Sequence, residues 1–456
     1  MIAVGIDLAT AGARVHAIDV DTGAPLAEVR AALPAPAERA GVRVQDPRYA
    51  EVVSGLLDEL AARLGVDAAR VAALAATGTS GTVVPVDAAG RAVGDAVMYD
   101  DRSTADAERA LAAGRARPVG MLARIAAVLR RTPGAAPAST VDAVLAALAG
   151  HAVPMDTSHA LKAGIDPAVR AWDLDAVEAA GIDPALLPAL VAPQTLVGTV
   201  ASGPFAGAAL VAGMTDGCTS QLATGAAGVG DTVGVLGTTL VLKAGADREV
   251  SDATRGVYSH LSPAGVWLPG GASNVGAAAL AAWLPGVDPA DPALIARAEA
   301  AGPASVAVYP LPGTGERFPR ADPDARFAVI GGLWDALDEA EAYRALLEGV
   351  ALVERWGLDE LAAAGVPSRR HVLSGGASVN PLWATIRASA LGRPVQVART
   401  RDSGLGAAAL AAAHLTGETV TAVTARTARL GPVIDPDPRW TAALADRYAA
   451  LRAALG

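Results

Sequence analysis

A strand, a turn of small residues and a second strand occur twice in this chain, at residues 1 to 20 (MIAVGIDLATAGARVHAIDV) and at residues 232 to 242 (TVGVLGTTLVL). The copies match in pattern rather than in letters. A repeated supersecondary unit of this kind predicts two similar lobes, each presenting a hairpin to a shared cleft. The 456 residues also exceed what one hydrophobic core serves, which makes two lobes the default. In the first copy Asp7 ends a strand, and Thr10 and Gly12 lie in the turn. An acid at a hairpin tip suits Mg²⁺, which takes one or two carboxylates together with waters and phosphate oxygens. In the second copy, Gly237-Thr238-Thr239 makes a tight turn whose N–H and hydroxyl groups can face a phosphate without a cationic side chain.

Between the two copies, the apolar run Ala208 to Gly213 reads as a strand aimed at Asp216, followed by small residues and a short helix to Gly225. A carboxylate at a helix N-terminus is stabilised there. A lone acid next to a phosphate-sized turn is what phosphoryl transfer to a hydroxyl needs. Taken alone, Asp-Gly most often caps a helix and Gly-Thr-Thr most often closes a hairpin. The rest of the chain decides between these readings.

The formal net charge of -10 argues against a nucleic-acid or anionic-membrane surface. Hydrophobic content of 52% with 4% aromatic predicts cores of Ala, Val and Leu. A single cysteine, Cys218, excludes a disulfide framework and a thiolate metal cluster. Met1 leads straight into a strand with no basic n-region, so a cytoplasmic protein without a signal peptide is expected. The uncharged segment between Asp183 and Asp216 is broken by Pro188, Pro193 and Pro204 and does not read as a membrane span. Lys162 and Lys243 are the only lysines, and neither stands in a Gly-Lys-Ser/Thr string, which excludes a Walker-type loop.

Along the chain, residues 46 to 65 are expected to form an amphipathic helix with Val52, Val53, Leu56, Leu57, Leu60 and Leu64 on one face. A buried strand then leads into ATGTSGTVV, where Thr77, Thr79, Ser80 and Thr82 crowd hydroxyls beside Gly78 and Gly81. Such hydroxyls suit a sugar, which asks for many neutral hydrogen bonds. A long helix from about Ala336 to Ala364 precedes the strand His371 to Leu373 and the string SGGASVNPLW. Gly375 and Gly376, between strand and helix, expose N–H groups for an anion or nucleotide, and Asn380 is placed to read an adenine edge.

In order, DLAT, GTSGT, MYDDRS, DTSHALKAG, GMTDG, LGTT, GERFP and LSGGASVN resemble the FGGY carbohydrate kinases of the actin-like ATPase superfamily, over nearly the whole chain. Within that family the likeness is greatest to the plant and cyanobacterial D-ribulose kinases, whose phrases recur as GTSGTV, LGTTLVLK, GVYSH, LPGGASN and YPLPGTGERFP. The resemblance implies an α/β fold of two actin-like (ribonuclease H-like) lobes around an interlobe cleft. Residues 1–207 would form the sugar-side lobe, 208–425 the nucleotide-side lobe and 426–456 a tail with a helix. It also implies ATP as co-substrate, Mg²⁺, and conversion of D-ribulose to D-ribulose 5-phosphate. The alternatives are a D-xylulose or sugar-alcohol kinase of the family, or a non-catalytic sugar- or nucleotide-binding protein with the same fold. No nucleic-acid or membrane partner is implied, and the oligomeric state is left open.

By the same resemblance Asp216 is the general base, and Asp7 positions Mg²⁺. Asp7, Thr79, Ser80 and Asp216 border the sugar; Thr10, Gly237 and Thr238 hold phosphate; Gly375, Gly376 and Asn380 hold the nucleotide. Five positions depart from the family's usual letters, one of them Ala11, which removes a hydroxyl common at that place. Tyr99 replaces a Trp while Asp101 and Arg102 are kept, and His159 replaces an Asn as a hydrogen-bonding pocket wall. Asp402 replaces a Glu, and Ala9 replaces a Gly. If position 9 needs φ > 0, its alanine costs roughly 1 kcal/mol and its methyl crowds the phosphate.

Overall fold

The computed structural model describes residues 1–115 and 117–456. The chain forms two compact units, one of Met1–Gly225, His260–Val266 and Thr400–Ala428, the other of Ala226–Ser259, Trp267–Arg399 and Arg429–Gly456. Among the described residues no helix is long and apolar enough to cross a membrane.

The first unit is built on a sheet of β1 (Ile2–Leu8), β2 (Gly12–Asp19), β3 (Pro25–Ala32), β4 (Val71–Gly78), β5 (Leu196–Thr199) and β6 (Ala209–Thr215). Its strand order is β5-β6-β4-β1-β2-β3. Strands β1, β4 and β6 run parallel, and β2, β3 and β5 are antiparallel to their neighbours. Every residue of β1 is buried, so the strand reads IAVGIDL rather than alternating, as a strand covered on both faces must. Ile2, Val4, Ile6 and Leu8 share one core with Val53, Leu56, Leu57 and Leu60 of the Tyr49–Leu64 helix and with Val141, Val144 and Leu145 of the Thr140–Ala149 helix.

Gly5 points to the opposite face and meets the Ser403–Thr416 helix at backbone distance. A methyl built on Gly5 would lie 1.9 Å from the Gly404 carbonyl oxygen, and one on Gly406 would lie 1.9 Å from that of Thr219. Glycine at these points lets the helix settle directly on the sheet and on the Asp216–Ala223 helix, and alanines 407–409 and 411–413 of the same helix are buried.

The second unit's sheet contains β7 (Asp231–Leu236), β8 (Leu240–Ala244), β9 (Trp267–Ser273), β10 (Arg370–Ser374), β11 (Val395–Ala398) and β12 (Leu430–Ile434), in the order β9-β8-β7-β10-β11-β12. The antiparallel run β9-β8-β7 joined by parallel β10 and β11 repeats β3-β2-β1 joined by β4 and β6. The expected duplication is therefore present in the strand orders. The expected lobe limits differ from the compact units. Strand β6 hydrogen-bonds to β4 and carries its following helix into the first unit, which runs to Gly225 rather than ending at residue 207. Residues 400–428 return to that unit, and the tail after Ala428 completes the second.

A charged network is sealed inside the second unit. Arg387 donates Nε to Glu354 Oε2 at 2.5 Å and Nη2 to Glu354 Oε1 at 2.6 Å, and His371 Nε2 lies 3.0 Å from Oε1. Arg387 and Glu354 are fully buried, and Gly234 of β7 makes room for them, since a methyl there would lie 1.8 Å from Oε1. Burial alone would raise the Glu354 pKa, but Arg387 and His371 hold it at about 2. Removing one partner leaves the other charge buried and unpaired. Arg387→Ala should therefore destabilise the second unit by about 3–5 kcal/mol, whereas Glu354→Leu combined with Arg387→Met should recover most of that loss. Urea unfolding of the single and double variants checks this, and a double variant no better than Arg387→Ala alone would contradict it.

Candidate active site

The C-terminal ends of the parallel strands gather the first unit's acids. Asp7 near the end of β1 pairs with Thr77 of β4, and Thr77 in turn pairs with Met214 of β6, two residues before Asp216. Thr77 Oγ1 donates to the Met214 carbonyl at 2.8 Å and lies 2.8 Å from Thr219 Oγ1, so it stitches the strands to the helix that Asp216 heads. Asp216 opens the Asp216–Ala223 helix and accepts the Gly217 N–H at 2.7 Å, with its carboxylate at the positive end of the helix.

Asp7 is buried. On β2, Arg14 stands directly opposite it, donating Nη2 to Asp7 Oδ2 at 2.8 Å and Nη1 to Asp402 Oδ2 at 2.5 Å. Asp402 also caps the Ser403–Thr416 helix through the Gly404 N–H and lies 3.0 Å from His16 Nε2. Burial raises the Asp7 pKa, the nearby Ser403 hydroxyl and Arg14 oppose the rise, and Asp402 and Asp216 reinforce it. For Asp402, burial is outweighed by His16 and Arg14, and its pKa falls. Asp7 Oδ1 is buried without a hydrogen-bond partner. Arg14, His16 and Ser403 were not among the residues singled out from the sequence. For Arg14 a signal existed, because hairpin register sets it across from Asp7.

Ala9 has no positive φ; Ala40, Arg170 and Gln194 are the described non-glycine residues that do. The alanine is therefore unstrained, and the cost entertained for it does not arise. Thr10 lies partly exposed in the turn, and its carbonyl accepts Gln45 Nε2 at 2.8 Å. Thr79 and Ser80 follow β4. Thr79 N–H donates to the Leu8 carbonyl, and the Ser80 hydroxyl is buried without a partner. Tyr99 is exposed, while Asp101 accepts the Ser103 hydroxyl within its loop and the N–H of Arg43 from the strand Val42–Gln45. His159 is wholly buried and hydrogen-bonded to Asp156, with Nε2 3.3 Å from the Gly78 carbonyl oxygen.

The second unit brings its own expected residues together. Gly237 and the exposed Thr238 form the turn between β7 and β8. Gly375, with φ of 92°, passes so close to β7 that a methyl on it would lie 2.3 Å from the Leu236 carbonyl oxygen. Gly376 is exposed and opens onto free space. Two details differ from expectation. The glycines lead into a 3₁₀ turn, Gly376–Val379, and the following helix begins only at Pro381. Asn380 caps that helix by accepting Trp383 N–H at 3.2 Å and donates to the Tyr343 hydroxyl at 2.8 Å. Both ends of its amide are thus engaged in holding the fold rather than turned to a base, because a helix starting at Pro381 needs a cap at this position.

Residues 232–415 match the FGGY family of carbohydrate kinases, C-terminal domain. The chain is 29% identical over 482 aligned residues to the xylulose kinase of Streptomyces coelicolor, covering 97% of this chain and 94% of that one. It is 34% identical to the xylulose kinase of Streptomyces rubiginosus over 58% of this chain and 55% of that one. In fold it is similar to the solved xylulose kinase of Rhodospirillum rubrum, with a TM-score of 0.88, 24% identity and coverage of 100% and 99%. The two units accordingly take the actin-like two-domain fold. Residues 232–415 thus match an FGGY-family C-terminal domain, within a chain that aligns along almost its entire length with a sugar kinase.

Proposed function

We propose that the chain transfers the γ-phosphoryl group of ATP to a hydroxyl of a ketopentose, with D-xylulose as the preferred substrate. The observation that carries this is the alignment along 97% of the chain to a xylulose kinase. The likeness to D-ribulose kinases rests on short phrases, and agreement along the full length weighs more than phrases do. D-Ribulose is the second candidate.

In this reading Asp216 takes the proton of the attacking hydroxyl, the hydroxyl oxygen bonds to phosphorus, and the bond to the ADP oxygen breaks. The products are a sugar phosphate, ADP and a proton. The helix N-terminus at Asp216 keeps the base charged until it accepts. Asp7 fits a Mg²⁺ ion, because its Oδ1 is buried with no partner and a cation would offset the burial that raises its pKa. Among the described residues no group of three His, Cys, Asp or Glu could hold a metal unaided, which agrees with an ion that keeps waters and phosphate oxygens. When bound, Mg²⁺ would neutralise charge on the transferred phosphate. Arg14 holds Asp7 in place. The Thr79–Ser80 turn offers hydroxyls to the sugar. Thr10, Gly237 and Thr238 contact phosphate, and Gly375 and Gly376 contact the nucleotide, with Asn380 acting by capping the helix behind them.

A panel of ketoses and polyols with ADP release as readout should give D-xylulose the highest kcat/KM. D-Ribulose exceeding it by about tenfold (about 1.4 kcal/mol of barrier) would reverse the substrate order, and turnover of neither would favour a binding protein. Asp216→Asn should lower kcat by about 10²–10⁴-fold while leaving ADP affinity and melting temperature near wild type, since Thr215 rather than Asp216 occupies the helix N-cap. A folded variant retaining kcat close to wild type would place the base elsewhere.

A further inference from the structure

Both ring nitrogens of His159 face atoms that can only accept a hydrogen bond. Asp156 Oδ2 lies 2.6 Å from Nδ1, and the Gly78 carbonyl oxygen lies 3.3 Å from Nε2. A neutral imidazole has a single N–H, so one of these contacts would set lone pair against lone pair. Only the doubly protonated ring satisfies both. His159 and Asp156 are essentially unexposed, so the pair is shut off from bulk solvent. Asp156 is itself fixed, accepting the backbone N–H groups of Ser158 and His159 at 2.9 Å each.

The charged groups facing the ring are Asp156 on its own turn, Asp142 from the Thr140–Ala149 helix and Asp216 at the head of its helix. All three are acids. Burial disfavours the imidazolium, but these carboxylates overcome it and bring its pKa up to about 9. Burial, followed by repulsion from Asp156, raises that of Asp142 to about 6.

Gly78 is the last residue of β4, and it pairs with Leu8 of β1 and Thr215 of β6. The next two residues are Thr79 and Ser80. The bond from His159 therefore anchors the root of the turn that offers its hydroxyls beside Asp216. We propose that His159 is a charged positioning residue for the sugar loop: as an imidazolium it ties the Gly78 carbonyl to the Asp156 carboxylate and so fixes the Thr79–Ser80 turn. The loop's role rests on the sugar-kinase reading; the charge of the ring does not.

The test uses the full chain labelled with ¹⁵N-histidine. Near neutral pH, one of the six histidines should carry protons on both ring nitrogens, and its signals should vanish in His159→Asn. Because the folded pKa is raised, the stability that this charge contributes is fully present below 6.5 and is lost as pH rises through about 9. Wild type should lose stability over that window relative to His159→Asn. In the kinase assay the variant should raise the KM for sugar by about tenfold or more, the range expected for a lost charge-assisted hydrogen bond. Its kcat and ATP KM should stay close to wild type. The rise of sugar KM above pH of about 9 in wild type should be absent from the variant. A neutral ring at neutral pH overturns the proposal, as does a charged ring whose replacement leaves sugar KM unchanged. A wild-type protein that turns over no ketose or polyol sinks the kinase reading and the positioning role with it, while the NMR result still decides the charge.

Discussion

The acidic site depends on one backbone-to-backbone contact, that of the Ser403–Thr416 helix on β1 and on the Asp216–Ala223 helix. Glycine at positions 5, 404 and 406 removes the side chains that would hold these elements apart. The helix delivers Asp402 and Ser403 to the end of β1, where Arg14 bridges Asp402 to Asp7. A methyl group at any of the three glycines would collide with backbone or with the His16 ring, and interiors packed at crystal-like density transmit such a displacement rather than absorb it. The position of the acids and the smallness of these residues are thus one constraint expressed twice.

Around that contact the electrostatics are deliberately unbalanced. Asp7, Asp402 and Asp216 act on one another at the strand ends, with Arg14 reaching two of them. Like charges held together in partial burial cost stability, and they persist where a site has to attract a cation or accept a proton. The second unit solves the opposite problem. Its network of Glu354, Arg387 and His371 is closed on itself, and Gly234 supplies the space it occupies. One unit holds open charge and the other holds satisfied charge.

Much of this was legible in the sequence because it is local. Asp7 and Asp216 each terminate an apolar run, and a run buried on both faces leaves its polar end as the conspicuous residue. The duplication was visible for the same reason, as a pattern of hairpins. What escaped detection is non-local or depends on competition between local rules. The Arg14–Asp402 pair spans 388 residues of chain, a distance over which no spacing rule operates. Asn380 carried two possible roles, and the capping need of a helix beginning at Pro381 claimed its amide first. Ala9 looked strained only because a glycine is usual there, whereas the turn holds it at ordinary φ. Substrate preference was read from short phrases that long alignment to a xylulose kinase outweighs.

The first unit is discontinuous, since residues 400–428 close it after most of the second unit has been written. That ordering has a consequence for biosynthesis. At translation rates of about 5–20 residues per second, the interval between Arg14 and Asp402 leaving the ribosome is about 20–80 seconds. Throughout it, the face of β1 bearing Gly5 has no helix to cover it. Contacts of such long sequence separation form slowly, and a chain terminated before residue 400 would lack the segment that closes the first unit.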